Sequence, residues 1–176
     1  MNSTSEELLT RALAGDPAAF GALVRDHQRS VYSLALRMLA DRQKAEDLAQ
    51  EVFLRLYRNL SSVGSVVHLS FWLRKVTLNG AIDRIRRDSR HQAVSLEEAD
   101  GLASDSAGAD PLLERRLRIL LQQLPPAPRA ILLLRYQEDL DPTEIARTLS
   151  MSINTVKSHL KRSLAMLREC IGETVQ

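Results

Sequence analysis

The sequence predicts an all-α chain: two small helical domains joined by a flexible linker, the C-terminal one a helix-turn-helix. Three observations carry this. Aromatics make up only 4% of the 176 residues while Leu, Ala and Arg recur throughout, a helix-former composition. It lacks the Val, Ile, Tyr and Thr alternation that half-buried strands need. Apolar residues return at three- and four-residue steps in successive stretches. Between Asp88 and Asp110 that periodicity dissolves, and it resumes afterwards.

Asp16 and Pro17 open the first strong helix, a capping carboxylate followed by a proline pre-set for the first helical position. Phe20, Leu23, Val24, Val31, Ala35 and Leu39 form its apolar stripe. Asp41 caps a second helix, whose inner face reads Ala45, Leu48, Ala49, Val52, Phe53, Leu56 and Leu60. The stretch Ser61 to Leu69 has no stable period and reads as a loop. Ser70 then caps a third helix, with Phe71, Trp72, Val76, Ala81, Ile82 and Ile85 as its apolar positions.

Residues Glu97 to Asp110 are acidic and small, unable to bury a core, and read as a flexible tether. The expected division is a first domain over 8–92, a linker over 93–110 and a second domain over 111–172. In the second domain Leu112 to Leu124 is a helix, stopped by Pro125, Pro126 and Pro128. Another runs from Arg129 to Gln137 around Ile131, Leu132, Leu133 and Leu134. Asp141 and Glu144 bracket Pro142 as a capping box that opens a short helix with Ile145, Ala146 and Leu149 inside. Ser150-Met151-Ser152 is a turn, and Ser152 caps the last helix. Its inner stripe is Ile153, Val156, Leu160, Leu164, Leu167 and Ile171.

Lys and Arg number 24 against 22 Asp and Glu, so placement matters more than the net charge of +2. The one cysteine, Cys170, leaves no internal disulfide and fits a reducing compartment. It reads either as a redox sensor or as an idle thiol, with no resolving cysteine beside it. No apolar run approaches the ~20 residues of a membrane span, and the polar, acidic start is unlike a signal peptide. A soluble cytoplasmic protein without membrane insertion is expected. No Gly-rich phosphate loop, metal-ligand spacing or Ser-His-Asp arrangement appears. His27, His68, His91 and His159 are scattered. Neither enzymatic activity nor a cofactor is expected.

Three faces carry function instead. A short capped helix, a tight turn and a longer helix describe a unit whose second helix enters the major groove of DNA. The outward positions of that second helix are Asn154, Thr155, Lys157, Ser158, Lys161 and Arg162, and no acid occurs from Ile153 through Leu167. Lys and Arg reach guanine or phosphate, and Asn pairs with adenine. An ordinary exposed face mixes signs. In the third helix of the first domain, Arg74, Lys75, Arg84, Arg86, Arg87 and Arg90 outnumber Asp83 and Asp88. Lys75, Asn79, Asp83 and Arg86 or Arg87 share one side beside Trp72, a cationic face able to support unstacked bases. Phe71 and Trp72 individually read equally well as core anchors. The second helix turns Asp47, Gln50 and Glu51 outward. That is either a plain solvated face or a surface for a basic protein partner.

These residues resemble the extracytoplasmic-function sigma factors of bacterial RNA polymerase. Asp47-Leu48-Ala49-Gln50-Glu51-Val52-Phe53-Leu54 is similar to the D-x-A-Q-E-x-F motif of sigma region two. The resemblance implies that Asp47, Gln50, Glu51 and Phe53 dock on the clamp helices of the polymerase β′ subunit. Phe71-Trp72-Leu73 with Asn79 and Asp83 resembles the family's helix for the −10 promoter element. Leu124-Pro125-Pro126, Ile131 to Tyr136, Glu144-Ile145-Ala146 and Ser152 to Ser158 resemble region four, which reads the −35 element and touches the β flap. The similarity spans roughly residues 8 to 170 without a large third region between. It implies binding of core polymerase, recognition of both promoter elements and DNA melting, with an anti-sigma factor as a further candidate partner. Ser150 stands where the family usually has Gly, which asks a left-handed conformation of a residue with a side chain. Asp139-Leu140-Asp141-Pro142 replaces a more usual Gly-Leu-Ser-Tyr while keeping the capping logic.

The competing reading is a helix-turn-helix repressor or activator, which binds duplex operator unaided. The acidic Asp47 and Glu51 face favours a factor that needs polymerase. A pure interaction protein, such as an anti-sigma adaptor, has no need of two basic faces.

Overall fold

The computed structural model describes residues 2–91 and 111–172. The tether expected at 93–110 lies outside the described residues, as do the side chains of Cys170 and Ile171. Among the described residues there is no strand. The helices are α1 (Asn2–Leu13), α2 (Pro17–Leu39), α3 (Arg42–Asn59), α4 (Val66–His91), α5 (Pro111–Gln123), α6 (Pro126–Tyr136), α7 (Pro142–Leu149) and α8 (Ile153–Gly172). A short 3-10 turn, Leu60–Ser62, follows α3. Two compact units divide the chain, Met1–Ala81 and Ile82–Gln176, the second beginning inside α4.

Asp16 starts α2 as expected, its Oδ1 accepting the Ala18 and Ala19 N–H groups at 2.9 and 3.2 Å. The same carboxylate takes Arg11 from the last turn of α1, with Nη2 at 2.6 Å from Oδ2. That bond, aided by the backbone donors, holds the Asp16 carboxyl below its ordinary range. One side chain therefore both begins α2 and fastens the end of α1. α1 itself was not expected, because Leu8, Leu9 and Ala12 give too short an apolar pattern to stand out. It packs on α2 and buries Leu9 and Ala12. α2 ends at Ala40, left-handed at φ 56°, whose N–H reaches the Leu36 carbonyl at 2.8 Å. Asp41 caps α3 by accepting the Lys44 N–H at 3.0 Å. Leu23, Val31, Leu34, Ala35 and Met38 of α2 are buried, as are Ala45, Leu48, Val52 and Leu56 of α3. A fully buried leucine contributes roughly 1.5–3 kcal/mol, so this helix pair anchors the unit.

Two expectations need correction in α4. The helix begins at Val66, so Ser65 and not Ser70 is its cap: Ser65 Oγ accepts the His68 N–H at 3.1 Å, and its carbonyl accepts from Leu69. Leu69 is fully buried and pulls the first turn inward. The inner stripe is also rotated from the expected one. Leu69, Leu73, Thr77, Leu78, Gly80 and Ala81 face inward, with Ile82, while Phe71, Trp72, Val76 and Ile85 stand half-exposed. Thr77 can sit inside because its hydroxyl donates to the Leu73 carbonyl at 2.7 Å. Thr and Gly on the buried side masked the period.

In the second unit α6 starts at Pro126, three residues before the expected Arg129. The prolines both stop α5 and supply the first position of α6. Arg129 is 6% exposed, and its Nη2 donates to the Gln122 and Leu124 carbonyls at 2.6 and 3.1 Å. Those are the unsatisfied acceptors at the end of α5, so a buried cation joins the two helices. Burial lowers its pKa from the ordinary guanidinium value. Ile131, Leu133, Leu134, Ile145 and Val156 fill the centre, and Leu124, Leu132 and Leu167 cluster against Leu120, Leu121, Leu160 and Leu164. Ile153, expected inside, is 40% exposed, because the first position of α8 lies at the edge of the buried stripe.

Candidate functional site

The helix-turn-helix is built by reciprocal caps. Asp141 Oδ1 accepts from Thr143 and Glu144 N–H at 2.6 and 2.9 Å, and Glu144 Oε2 accepts the Asp141 N–H at 2.8 Å. The Glu144 backbone bond is the main cause that lowers the Asp141 pKa. α7 ends on Ser150, left-handed at φ 55°, ψ 45°, with the Met151 N–H reaching back to the Ala146 carbonyl at 2.9 Å. That reversal lets Ser152 Oγ accept the Thr155 N–H at 3.0 Å and start α8. Asn154, Thr155, Lys157, Ser158, Lys161 and Arg162 are all exposed. By helical spacing Asn154, Ser158 and Lys161 stand opposite the buried Val156, Ser163 and Leu167. Thr155 and Arg162 flank them on one side and Lys157 on the other. Thr155 Oγ1 lies 2.8 Å from Ser152 Oγ, so this hydroxyl also serves the cap.

On α4 the structure sorts the predicted residues differently. Trp72, Asn79, Asp83 and Arg86 fall on one face, with Lys75 at its side and Lys75 Nζ 6.0 Å above the Phe71 ring. Arg87 stands beside it, donating Nε–H to the Asp83 carbonyl at 3.3 Å. Arg74 is separate: with His27 and Ser30 of α2 it lines a cleft of about 50 Å³.

The third surface was half visible in the sequence. Asp47 and Gln50 are exposed and Phe53 half-buried on α3. Glu51 is paired with Arg55 one turn on, which tempers the acidity of this face. Beside it runs an open groove of about 940 Å³ between α2 and α3, lined by Phe20, Val24 and Tyr32 and by Glu46, Gln50 and Phe53. Leu54 and Tyr57, 59% and 67% exposed, also line it, and Tyr57 meets Phe20 edge-on at 5.2 Å. Sequence reasoning missed Glu46, Leu54 and Tyr57. The available signal was that Leu54 and Tyr57 are apolar yet lie off the inner stripe. Among the described residues no His, Cys, Asp and Glu gather as a metal-binding group, and no helix is long and apolar enough to cross a membrane.

Residues 23–91 match the Sigma-70 region 2 family and residues 114–167 match Sigma-70, region 4. The ECF RNA polymerase sigma factor SigW of Bacillus subtilis is 30% identical over 88% of this chain and 90% of its own length. The ECF RNA polymerase sigma factor SigK of Mycobacterium tuberculosis is 31% identical over 97% of this chain and 95% of its own. Among solved structures, CnrH in complex with the cytosolic domain of CnrY shares the fold with a TM-score of 0.70 at 22% identity, covering 97% of this chain and 98% of that one. The sigma factor RpoE bound to the anti-sigma factor NepR, from Bartonella quintana, does so with a TM-score of 0.71 at 19% identity, covering 87% and 96%. An initiation factor of transcription that works with RNA polymerase, the chain belongs to the ECF RNA polymerase sigma factors.

Proposed function

We propose that the chain docks on core polymerase through the α2–α3 groove and its Asp47, Gln50, Glu51 and Phe53 flank, and that α8 and α4 read the −35 and −10 elements. The observation that carries this is the pairing, on one chain, of an apolar groove with acidic residues at its rim and a helix-turn-helix face without acid. The groove suits an apolar segment with basic neighbours, and DNA is excluded there by Glu46 and Asp47. The −35 face suits polyanion and base edges together. The β′ clamp helices are the expected occupant of the groove and the β flap the expected partner of the second unit. Trp72 and Asn79 take an unstacked base of the −10 strand, and the cationic rim from Lys75, Arg86 and Arg87 offsets the few kcal/mol that unstacking costs. An anti-sigma factor competing for the same groove follows from its exposed Leu54 and Tyr57. In vitro transcription with purified core polymerase and a promoter library tests the reading. Transcripts from a defined −10/−35 pair, absent without the chain, are expected. Binding of duplex DNA alone, with no polymerase-dependent transcript, would return the protein to the repressor class.

A further inference from the structure

The junction between α3 and α4 is held from an unexpected place. Leu60 and Val63 are buried on one side of it and Leu69 on the other, while Ser61, Ser62, Gly64, Val67 and His68 are exposed, Val67 at 79%. Several side chains fasten the backbone between these anchors, Ser62 among them, whose Oγ donates to the Asn59 carbonyl at 2.7 Å. His68 Nδ1 accepts the Gly64 N–H at 3.3 Å while the His68 N–H donates to Ser65 Oγ at 3.1 Å, so the first turn of α4 holds both the cap residue and the residue before it. Glu6 of α1, 60 residues away in sequence, accepts the Val66 N–H at 3.4 Å through Oε1. Its carboxylate thus meets the positive end of α4. Gly64 has open space where a side chain would stand, so its backbone is accessible from outside. His68 precedes Trp72 by one turn on the face that also carries Asn79 and Arg86, and the loop leads directly into that turn.

We propose that Glu6 and His68 are positioning residues for promoter melting. They fix against the start of α4 the loop 61–65, which together with Trp72 and Asn79 resembles the family's pocket for a base flipped from the −10 strand. The inference rests on reading α4 as the −10 face. α1 thereby acquires a role in DNA opening that its distance along the chain conceals. The exposed Ser61, Ser62 and Gly64 on either side of the buried Val63 otherwise lose part of the binding free energy to ordering. Both bonds are long, so the loss of either is expected to lower open-complex formation by about two- to fivefold.

The test uses the full chain with core polymerase and the variants Glu6→Ala, Glu6→Gln, His68→Ala and His68→Asn. Permanganate reactivity of −10 thymines reads the open complex, gel shift the closed complex, and pull-down the core affinity. Gln retains the Glu6 acceptor without its charge, and Asn places Oδ1 close to the position of Nδ1. The two Ala variants should lose open complex with closed complex and core affinity unchanged, and Gln and Asn should restore it. Equal losses in all three readouts would make the residues merely structural and overturn the proposal. His68→Asn failing where His68→Ala fails would mean that the ring itself touches DNA, which also overturns positioning by His68. Asn79→Ala serves as the reference. If it lowers melting while the Ala variants do not, the positioning idea fails alone. If it has no effect, the reading of α4 falls and the loop proposal with it.

Discussion

Ser150 carries a backbone conformation that side-chain-bearing residues rarely adopt, φ 55° and ψ 45°, at the turn that aims α8. The Cβ crowds the following carbonyl there, which costs on the order of 1 kcal/mol. Ser150→Gly removes that crowding but loosens the unfolded chain, so the net gain is smaller, up to about 1 kcal/mol. Denaturant unfolding of the variant should show a raised midpoint with unchanged −35 affinity; a lowered midpoint would mean that the Ser150 side chain is itself stabilising. On α8 the residues divide by reach. With α8 in the major groove as proposed, Asn154 and Ser158 are short and would need close approach to base edges, whereas Lys161 and Arg162 are long enough for either guanine or phosphate. Lys161→Ala is expected to weaken all −35 variants alike and to reduce the salt slope by about one counterion. Arg162→Ala is expected to cost ~1–3 kcal/mol at a single base position. A panel of single-base −35 variants at two salt concentrations checks both, and an unchanged profile for each would remove α8 from the groove.

Among whole elements, α7 shows how far a local code can go. Asp141, Pro142 and Glu144 stated its start in the sequence, and the structure has the reciprocal bonds that the box requires. The Asp141 pKa is depressed in the fold, so its stabilisation is complete above the ordinary value of 3.8 and is lost as pH falls through the depressed value. Asp141→Ala should lower the thermal midpoint of helix loss by about 4 °C at neutral pH, whereas Asp141→Asn keeps the acceptor and should stay close to the parent. Equal loss in both would assign the effect to charge. Caps were legible because they are contiguous; α1 and the buried side of α4 were not. Leu9 and Ala12 find their partners on another helix, Thr77 faces inward because its hydroxyl is satisfied by the Leu73 carbonyl, and the buried Gly80 has no side chain for an apolar period to record. The groove was illegible for a related reason. Phe20, Val24 and Tyr32 belong to α2, and only the side-by-side packing of α2 with α3 brings them to Glu46 and Phe53. On α3, Asp47→Lys combined with Glu51→Lys should weaken core polymerase binding at least ~10-fold while helix content and unfolding stay within ~0.5 kcal/mol. Unchanged pull-down affinity would detach this flank from the docking surface.

The molecule as a whole is two cores on one chain, and its function as proposed needs both at once: the first holds the polymerase groove with Trp72 and Asn79, the second holds α8 for −35. Each core is closed by its own helices, α1, α2 and α3 in the first and α6, α7 and α8 in the second. Such units should lose stability separately, and the sequence supplies a selective reporter. The single tryptophan, Trp72, lies in the first unit, so its fluorescence follows that unit, whereas far-ultraviolet circular dichroism follows helices throughout. Leu134 is fully buried in the second unit. Leu134→Ala removes its side chain at a cost of about 2–5 kcal/mol, a large share of what a small domain holds. The dichroism transition should then split or move to lower denaturant, while the Trp72 transition stays where it is in the parent. Core polymerase affinity should persist at low denaturant, carried by the α2–α3 groove, as −35 recognition fails. A parallel shift of both signals would instead make the chain one cooperative unit, in which damage beneath α8 reaches the α2–α3 groove through the fold itself.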